Sequence, residues 1–297
     1  MEKMTWELRL TTKEKENLVK VQELRKAIRN FLERQGFLEV NIPVIFPSKS
    51  LLYGGIPISG QIINGYLCAV MTPFIRRWLV LGKELNLSRV YFIGECFRDE
   101  EVDQDHYPVF ENLAMGVRYE DYRFLMKLIQ EMVLDVLKTA GQKDIGEWQC
   151  IPYFQLGSKT DFANIRTNNE KTLKEYSELT AVLSRPTFVT ELPMQLFGPA
   201  RKISQYTKER AELFIRGIEI GNISTFLTDA EELLQWYQEQ DIDFSQYLLE
   251  KEHLDSVSTL NGELVTTGAI GLSRLYMVLL GLNTIKETVP FPYFGGD

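Results

Sequence analysis

The clearest periodicity in the chain lies at residues 17–35, where Leu18, Val21, Leu24, Ile28, Phe31 and Leu32 recur at helical spacing and Gly36 supplies a stop. These positions predict an amphipathic helix. Residues 37–48 then alternate apolar and polar positions and are broken by Pro43 and Pro47, which predicts an extended segment leaving the helix at Gly36. Residues 87–100 predict a strand that runs into charge, 109–117 a second strand, and the polar stretch 99–108 the hairpin loop between them. The helical period returns over 120–140, whereas 141–185 carry weak periodicity and many polar residues, as an insertion or small subdomain would. Strand patterns resume at 186–193 and 211–222, a helical pattern covers 227–240, and 263–282 predicts a strand feeding an apolar helix. Strands and helices without regular βαβ alternation predict the α+β class, an antiparallel β-sheet flanked by helices. No internal repeat or low-complexity segment is visible.

Composition narrows the classes that fit this pattern. With 297 residues and 44% apolar content the chain can bury one large core or two modest ones. A net charge of −8 argues against a broad basic face, because affinity for a phosphate backbone comes from clustered Lys and Arg. No run approaches the roughly 20 apolar residues of a membrane span, and the first residues lack the apolar core of a signal peptide, so the expectation is a cytoplasmic protein without membrane contact. Cys68, Cys96 and Cys150 form no CxxC pair and are expected as buried or partly buried free thiols. Two histidines, His106 and His253, are too few for a His-rich metal site, so any metal is expected to be oxygen-ligated Mg²⁺.

Two groups of residues carry candidate chemistry. Arg98 at a strand end, Glu100 two positions on, His106 in the loop and Phe110 on the returning strand fit a nucleotide: Arg98 on a phosphate, Glu100 on a base amino group, Phe110 stacked on the ring. Read alone, the charged run at 97–100 fits a solvated strand end equally well. The second group, Gly268 to Arg274, lies at a strand-to-helix junction and puts Arg274 in the first turn of an apolar helix. A guanidinium there needs an anion, either a polyphosphate or an internal carboxylate.

Three segments in order resemble the three signature motifs of class II aminoacyl-tRNA synthetases. Residues 17–48 are similar to motif 1, RVYFIGECFRDEEVDQDHYPVFENL to motif 2, and GAIGLSRLYMVLLGLNTIKETVPFP to motif 3. Within that class the chain resembles the aspartyl, asparaginyl and lysyl branch, and residues 216–233 are similar to lysyl enzymes and to the short lysyl paralogues that attach β-lysine to elongation factor P. The resemblance implies a class II synthetase fold over 1–297 as a single catalytic domain without an anticodon-binding domain, and a homodimer with Pro43 at the contact. It implies ATP as substrate, Arg98 on the α-phosphate and the amino-acid carboxylate, and Glu100 and Phe110 on adenine. His106, Gly271 and Arg274 would bind the rest of ATP, Glu219 would hold Mg²⁺, and Asn222 would lie near the amino acid. Arg98 and Arg274 would be the catalytic pair.

Departures from the pattern bear on the substrate. Phe226 stands where lysyl relatives carry a second glutamate, Val109 and Ala114 replace two more carboxylates, Ser273 replaces an acidic residue, and 71–82 lacks another. Fewer carboxylates mean less attraction for a substrate ammonium, which argues against lysine and β-lysine. The expected function is a tRNA-independent, ATP-dependent ligase that activates an amino acid or related acid as its adenylate and transfers it to a protein or small-molecule amine. Two alternatives remain open. One is an asparagine-synthetase-like enzyme using ammonia, with Arg76, Arg77 or Lys202 holding a side-chain carboxylate; the other is a regulatory ATP-binding paralogue.

Overall fold

A computed structural model of the chain describes residues 11–48, 55–61, 63–67, 72–99, 101–141, 144–157, 170–194, 198–239, 251, 254–255, 257–260 and 262–289. Helix α1, Thr12–Arg34, begins earlier than its apolar period because Thr11 and Glu14 form a capping box: the Thr11 hydroxyl accepts from the Glu14 N–H, and the Glu14 carboxylate accepts from the Thr11 N–H. Chain reversal after α1 uses Gly36 at φ 76°, a conformation costly for any residue with a Cβ.

The sheet has eight strands. They are β1 (Leu38–Glu39), β5 (Arg89–Phe97), β6 (Val109–Arg118), β7 (Gln149–Pro152), β8 (Thr187–Thr190), β9 (Arg210–Ile215), β10 (Ile218–Thr225) and β11 (Val265–Gly271), in the spatial order β1-β5-β6-β11-β10-β9-β8-β7. The six from β5 to β8 pair antiparallel, as expected, but both edges are parallel, β1 on β5 and β7 on β8. The sheet is therefore mixed. Part of 141–185 is continuous with it, since β7 forms its edge and the polar helix α4, Glu170–Ala181, follows. Residues 211–222, read as one strand, are two: the chain turns at Arg216 and Gly217, both at positive φ, and β10 folds back on β9. An Arg-Gly pair lacks the Asn-Gly or Asp-Gly signature of such a turn, so the apolar run on either side hides it. A second sheet of three short strands, β2 (Ile45–Phe46), β3 (Ile56–Ser59) and β4 (Asn64–Leu67), has the order β2-β4-β3.

Alternation along the strands divides the large sheet into two faces. Leu113, Met115, Leu213, Ile223 and Ile270 point into a core shared with α1, α3 (Tyr122–Thr139) and α6 (Leu272–Leu280). Fully burying each such side chain stabilises the fold by roughly 1.5–3 kcal/mol. The opposite face carries Phe110, Asn112 and Ala114 on β6 and Ala269 and Gly271 on β11. It is covered in part by α2 (Thr72–Leu81), whose Ile75 and Leu79 are buried against Ala114, Val90 and Phe226. Helix α5, Ala230–Glu239, is capped by Asp229, whose carboxylate accepts from the N–H groups of Glu231 and Glu232. Cys96 is buried and burial pushes its thiol up to about 12, while Cys150 is exposed, contrary to expectation. Cys68 and His253 lie outside the described residues. Among the described residues no helix is long and apolar enough to cross a membrane.

Candidate nucleotide-binding site

The uncovered part of that second face is a cleft open to solvent, with about 690 Å³ of empty space counted together with the solvent at its mouth. Strand β5 delivers Arg98 to its rim, where the Arg98 N–H donates to the Pro108 carbonyl (3.0 Å) and closes the hairpin. The guanidinium lies 5.6 Å from the centre of the Phe110 ring.

The loop between them is built around Asp103. Its Oδ1 accepts from the N–H groups of Asp105 (2.9 Å) and His106 (2.8 Å), and both its oxygens lie 2.9 Å from His106 Nδ1. The Ile285 N–H donates to the Gln104 carbonyl and ties the loop to the segment after α6. Helix α6 starts at the end of β11, with Gly271 as its N-cap, and presents Arg274 from its first turn. Arg274 donates through Nε to the Asp105 carbonyl (2.9 Å) and through Nη1 to the Glu219 carbonyl (3.0 Å), and its Nη2 lies 2.7 Å from His106 Nε2. The Asp105 carboxylate stands 3.6 Å from Nε. The guanidinium thus has an internal anionic neighbour, Asp105, and also lines the cleft.

Of the residues singled out from sequence, Arg98, His106, Phe110, Glu219, Asn222, Gly271 and Arg274 all line this one cleft. Glu100 lies outside the described residues. Sequence reasoning missed Glu212, Asn112 and Asp103. Glu212 sits opposite Asn222 across the β9–β10 pair, is buried, and accepts from Tyr176 Oη (2.9 Å) and Arg210 Nη2 (3.2 Å). Burial above all, and then the nearby Glu219 charge, push its carboxyl up to about 7. A carboxylate inside the apolar strand Ala-Glu-Leu-Phe-Ile was the available signal, because such a group needs partners. Asn112 Oδ1 is buried at the cleft floor with no hydrogen-bond partner among the described residues, leaving an acceptor for a bound molecule.

A family model described as tRNA synthetases class II (D, K and N) matches residues 2–294. The chain belongs to that family. Among its relatives, the lysine–tRNA ligase of Saccharolobus solfataricus is 26% identical over 93% of this chain and 65% of its own length. The lysine–tRNA ligase of Staphylococcus saprophyticus is 28% identical over 94% and 64%, and that of Thermotoga maritima 27% identical over 90% and 61%. The chain therefore spans less than two thirds of the length of these relatives.

Within this class II synthetase core, the departures found in sequence acquire places. Phe226 does not line the cleft; it is buried in the second apolar cluster, with the Arg76 guanidinium 3.9 Å from its ring centre. Arg76 is itself buried and donates to Thr267 Oγ1 (3.3 Å), two positions along β11 from Ala269 on the same face. Arg77 is exposed, and Lys202 is exposed beside Glu232 (3.7 Å). Ala114 pairs with Ala269 in the floor of this face, and Val109 is partly buried against the main core. Ser273 accepts the Glu111 N–H at 2.9 Å and so has a structural partner of its own.

Proposed function

We propose that this chain binds ATP with Mg²⁺ and activates an amino acid, or a related carboxylic acid, as its adenylate, which it passes to a protein or small-molecule amine rather than to tRNA. The observation that carries the reading is the convergence of Arg98, His106 and Arg274 on one cleft beside Phe110. In this reading a carboxylate oxygen of the acid attacks the α-phosphorus in line, the bond to the bridging oxygen of the β-phosphate breaks, and pyrophosphate leaves. Arg98 neutralises charge on the α-phosphate and orients the acid, Phe110 stacks on adenine, and Glu100 accepts its amino group. His106 and Arg274 take the terminal phosphates, Gly271 lets them approach the start of α6, and Asn222 orients the acid.

The residues fit a divalent cation. The charge of Glu219 helps push the buried Glu212 carboxyl up, and Mg²⁺ near one or both would relieve that. A second carboxylate therefore stands near Glu219 even though Phe226 takes the place of the second glutamate of lysyl relatives. The cation would neutralise phosphate charge. The acid we favour carries no ammonium side chain, because Phe226, with a guanidinium over its ring, and Ala114 stand at two positions where relatives of the lysyl branch would have carboxylates. A second reading, amide formation with ammonia on an acid bearing a side-chain carboxylate, is supported by Arg76 being the buried one of the three basic candidates. Net charge −8 supports acceptors other than tRNA. We place the activity in one catalytic domain, in a homodimer, in the cytoplasm.

The test is ATP–pyrophosphate exchange with Mg²⁺, screened over the standard amino acids, β-amino acids and dicarboxylic acids beside Arg98→Ala. Exchange with one acid, lost in the variant, is the expected result. Acceptor assays with amines, ammonia and bulk tRNA then separate the transfer steps, and transfer to tRNA would overturn that part of the reading. ATP binding without exchange for any acid would favour a regulatory protein.

A further inference from the structure

We propose that Asp103 is the positioning residue of the nucleotide site: it fixes His106 so that entry of a polyphosphate turns the ring from an acceptor for Arg274 into a charged donor, with uptake of one proton. The inference rests on reading the cleft as an ATP site. It starts from what each group can do. A guanidinium has five donors and no acceptor, so His106 Nε2, 2.7 Å from Arg274 Nη2, accepts there. The single ring proton is then on Nδ1, which donates to the Asp103 carboxylate at 2.9 Å.

A phosphate oxygen only accepts. A terminal phosphate that enters beside Arg274 can take the second Nη2 hydrogen, and where it reaches the ring it meets the Nε2 lone pair of the imidazole. Moving the ring proton from Nδ1 to Nε2 does not resolve this, because it would set the Nδ1 lone pair against both Asp103 oxygens. The favourable outcome is a ring protonated on both nitrogens, Nε2–H on the phosphate and Nδ1–H on Asp103. One proton passes from solvent to Nε2, and no covalent bond between heavy atoms changes. The groups facing the ring are Asp103 and Asp105 from its own loop, the latter 3.4 Å from Nδ1, and Arg274 from α6; Arg98 at the end of β5 and Glu219 on β10 line the same cleft. Before nucleotide enters, the ring faces the Arg274 guanidinium. Afterwards the phosphates engage the guanidinium, and the two aspartates stand as counter-charges. Asp103 alone holds both Nδ1 and the backbone turn, which makes it the residue that sets the ring's orientation and proton count.

The experiment is isothermal titration calorimetry of the full chain with ATP and Mg²⁺ at pH 8, repeated in buffers of differing ionisation enthalpy. At that pH an ordinary imidazole and a terminal phosphate are both deprotonated, so uptake reports a site made on binding. Wild type is expected to take up roughly one proton per ATP and none with AMP, which lacks the terminal phosphates. Asp103→Asn retains an oxygen for the two backbone N–H groups and removes the charge. It should bind ATP about tenfold more weakly, take up no proton, and keep the wild-type melting temperature and AMP affinity. ATP heats that are equal in every buffer for wild type, or the same uptake in Asp103→Asn, would overturn the assignment while leaving the ATP site standing. Failure of wild type to bind ATP or AMP would instead bring down the nucleotide-site reading and this one with it.

Discussion

Glu212 shows how one side chain can tie the fold to the site. Its carboxyl is pushed up to about 7, above the ordinary 4.5, so between those values the folded chain holds a proton that the unfolded chain has released. Stability therefore falls as pH rises through that window, by an amount on the order of a few kcal/mol for a wholly buried group. Burial depresses Lys208 and gives the opposite slope, so the comparison that isolates Glu212 is wild type against Glu212→Gln. Urea unfolding at about pH 5 and pH 8 without metal should show the falling stability in wild type and a flatter profile in the variant. Added Mg²⁺ should restore stability at the higher pH in wild type only. At this scale the charged end of a strand was the legible part: Arg98 stands out because charge interrupts an apolar pattern, and His106 follows it in the polar loop. Glu212 and Asp103 do not stand out, because their roles come from a partner on another strand and from a turn geometry that residue types alone do not specify.

Elements are joined by a second, half-buried carboxylate. Glu111 on β6 receives Arg25 of α1 (2.8 Å) and Tyr276 of α6 (3.0 Å), while its N–H donates to Ser273, so the helices resembling motifs 1 and 3 are pinned to the strand of motif 2. Burial, with this carboxylate close by, raises the Tyr276 hydroxyl well above its ordinary value and keeps it a donor. Glu111→Ala leaves Arg25 and Tyr276 without that acceptor and is expected to lower stability by about 2–4 kcal/mol in urea unfolding. The β9–β10 turn makes a separate demand on the backbone. Gly217 sits at φ 75°, and a Cβ there would fall 2.3 Å from the Ala181 carbonyl oxygen. Gly217→Ala should destabilise by about 1–3 kcal/mol, seen as a lower urea midpoint with an unchanged slope. Long periodic elements such as α1 and α3 could be read from sequence, because each buries a single stripe. The parallel edges and the hairpin could not, because strand order depends on which neighbour is reached.

At the scale of the whole molecule, Pro43 lies among Leu38, Val44 and Ile45, which are exposed apolar residues on the segment after α1. That patch supports the homodimer proposed above. Light scattering is expected to give twice the 34.4 kDa chain mass, and Val44→Asp to return the monomer; a wild-type monomer would reject the contact. The linear order of residues determined the α+β class, the main amphipathic helices, the acidic balance and the motif residues, because hydrophobic period and charge at element ends are local properties. Tertiary structure alone decided that Arg98, Glu219 and Arg274, far apart along the chain, share one cleft. It also put Glu212 beside Asn222, gave Phe226 a guanidinium to stack on, and set the His106 ring between Asp103 and Arg274. Each of those depends on pairing register and on which donor meets which acceptor, and both are set only when the strands close on one another.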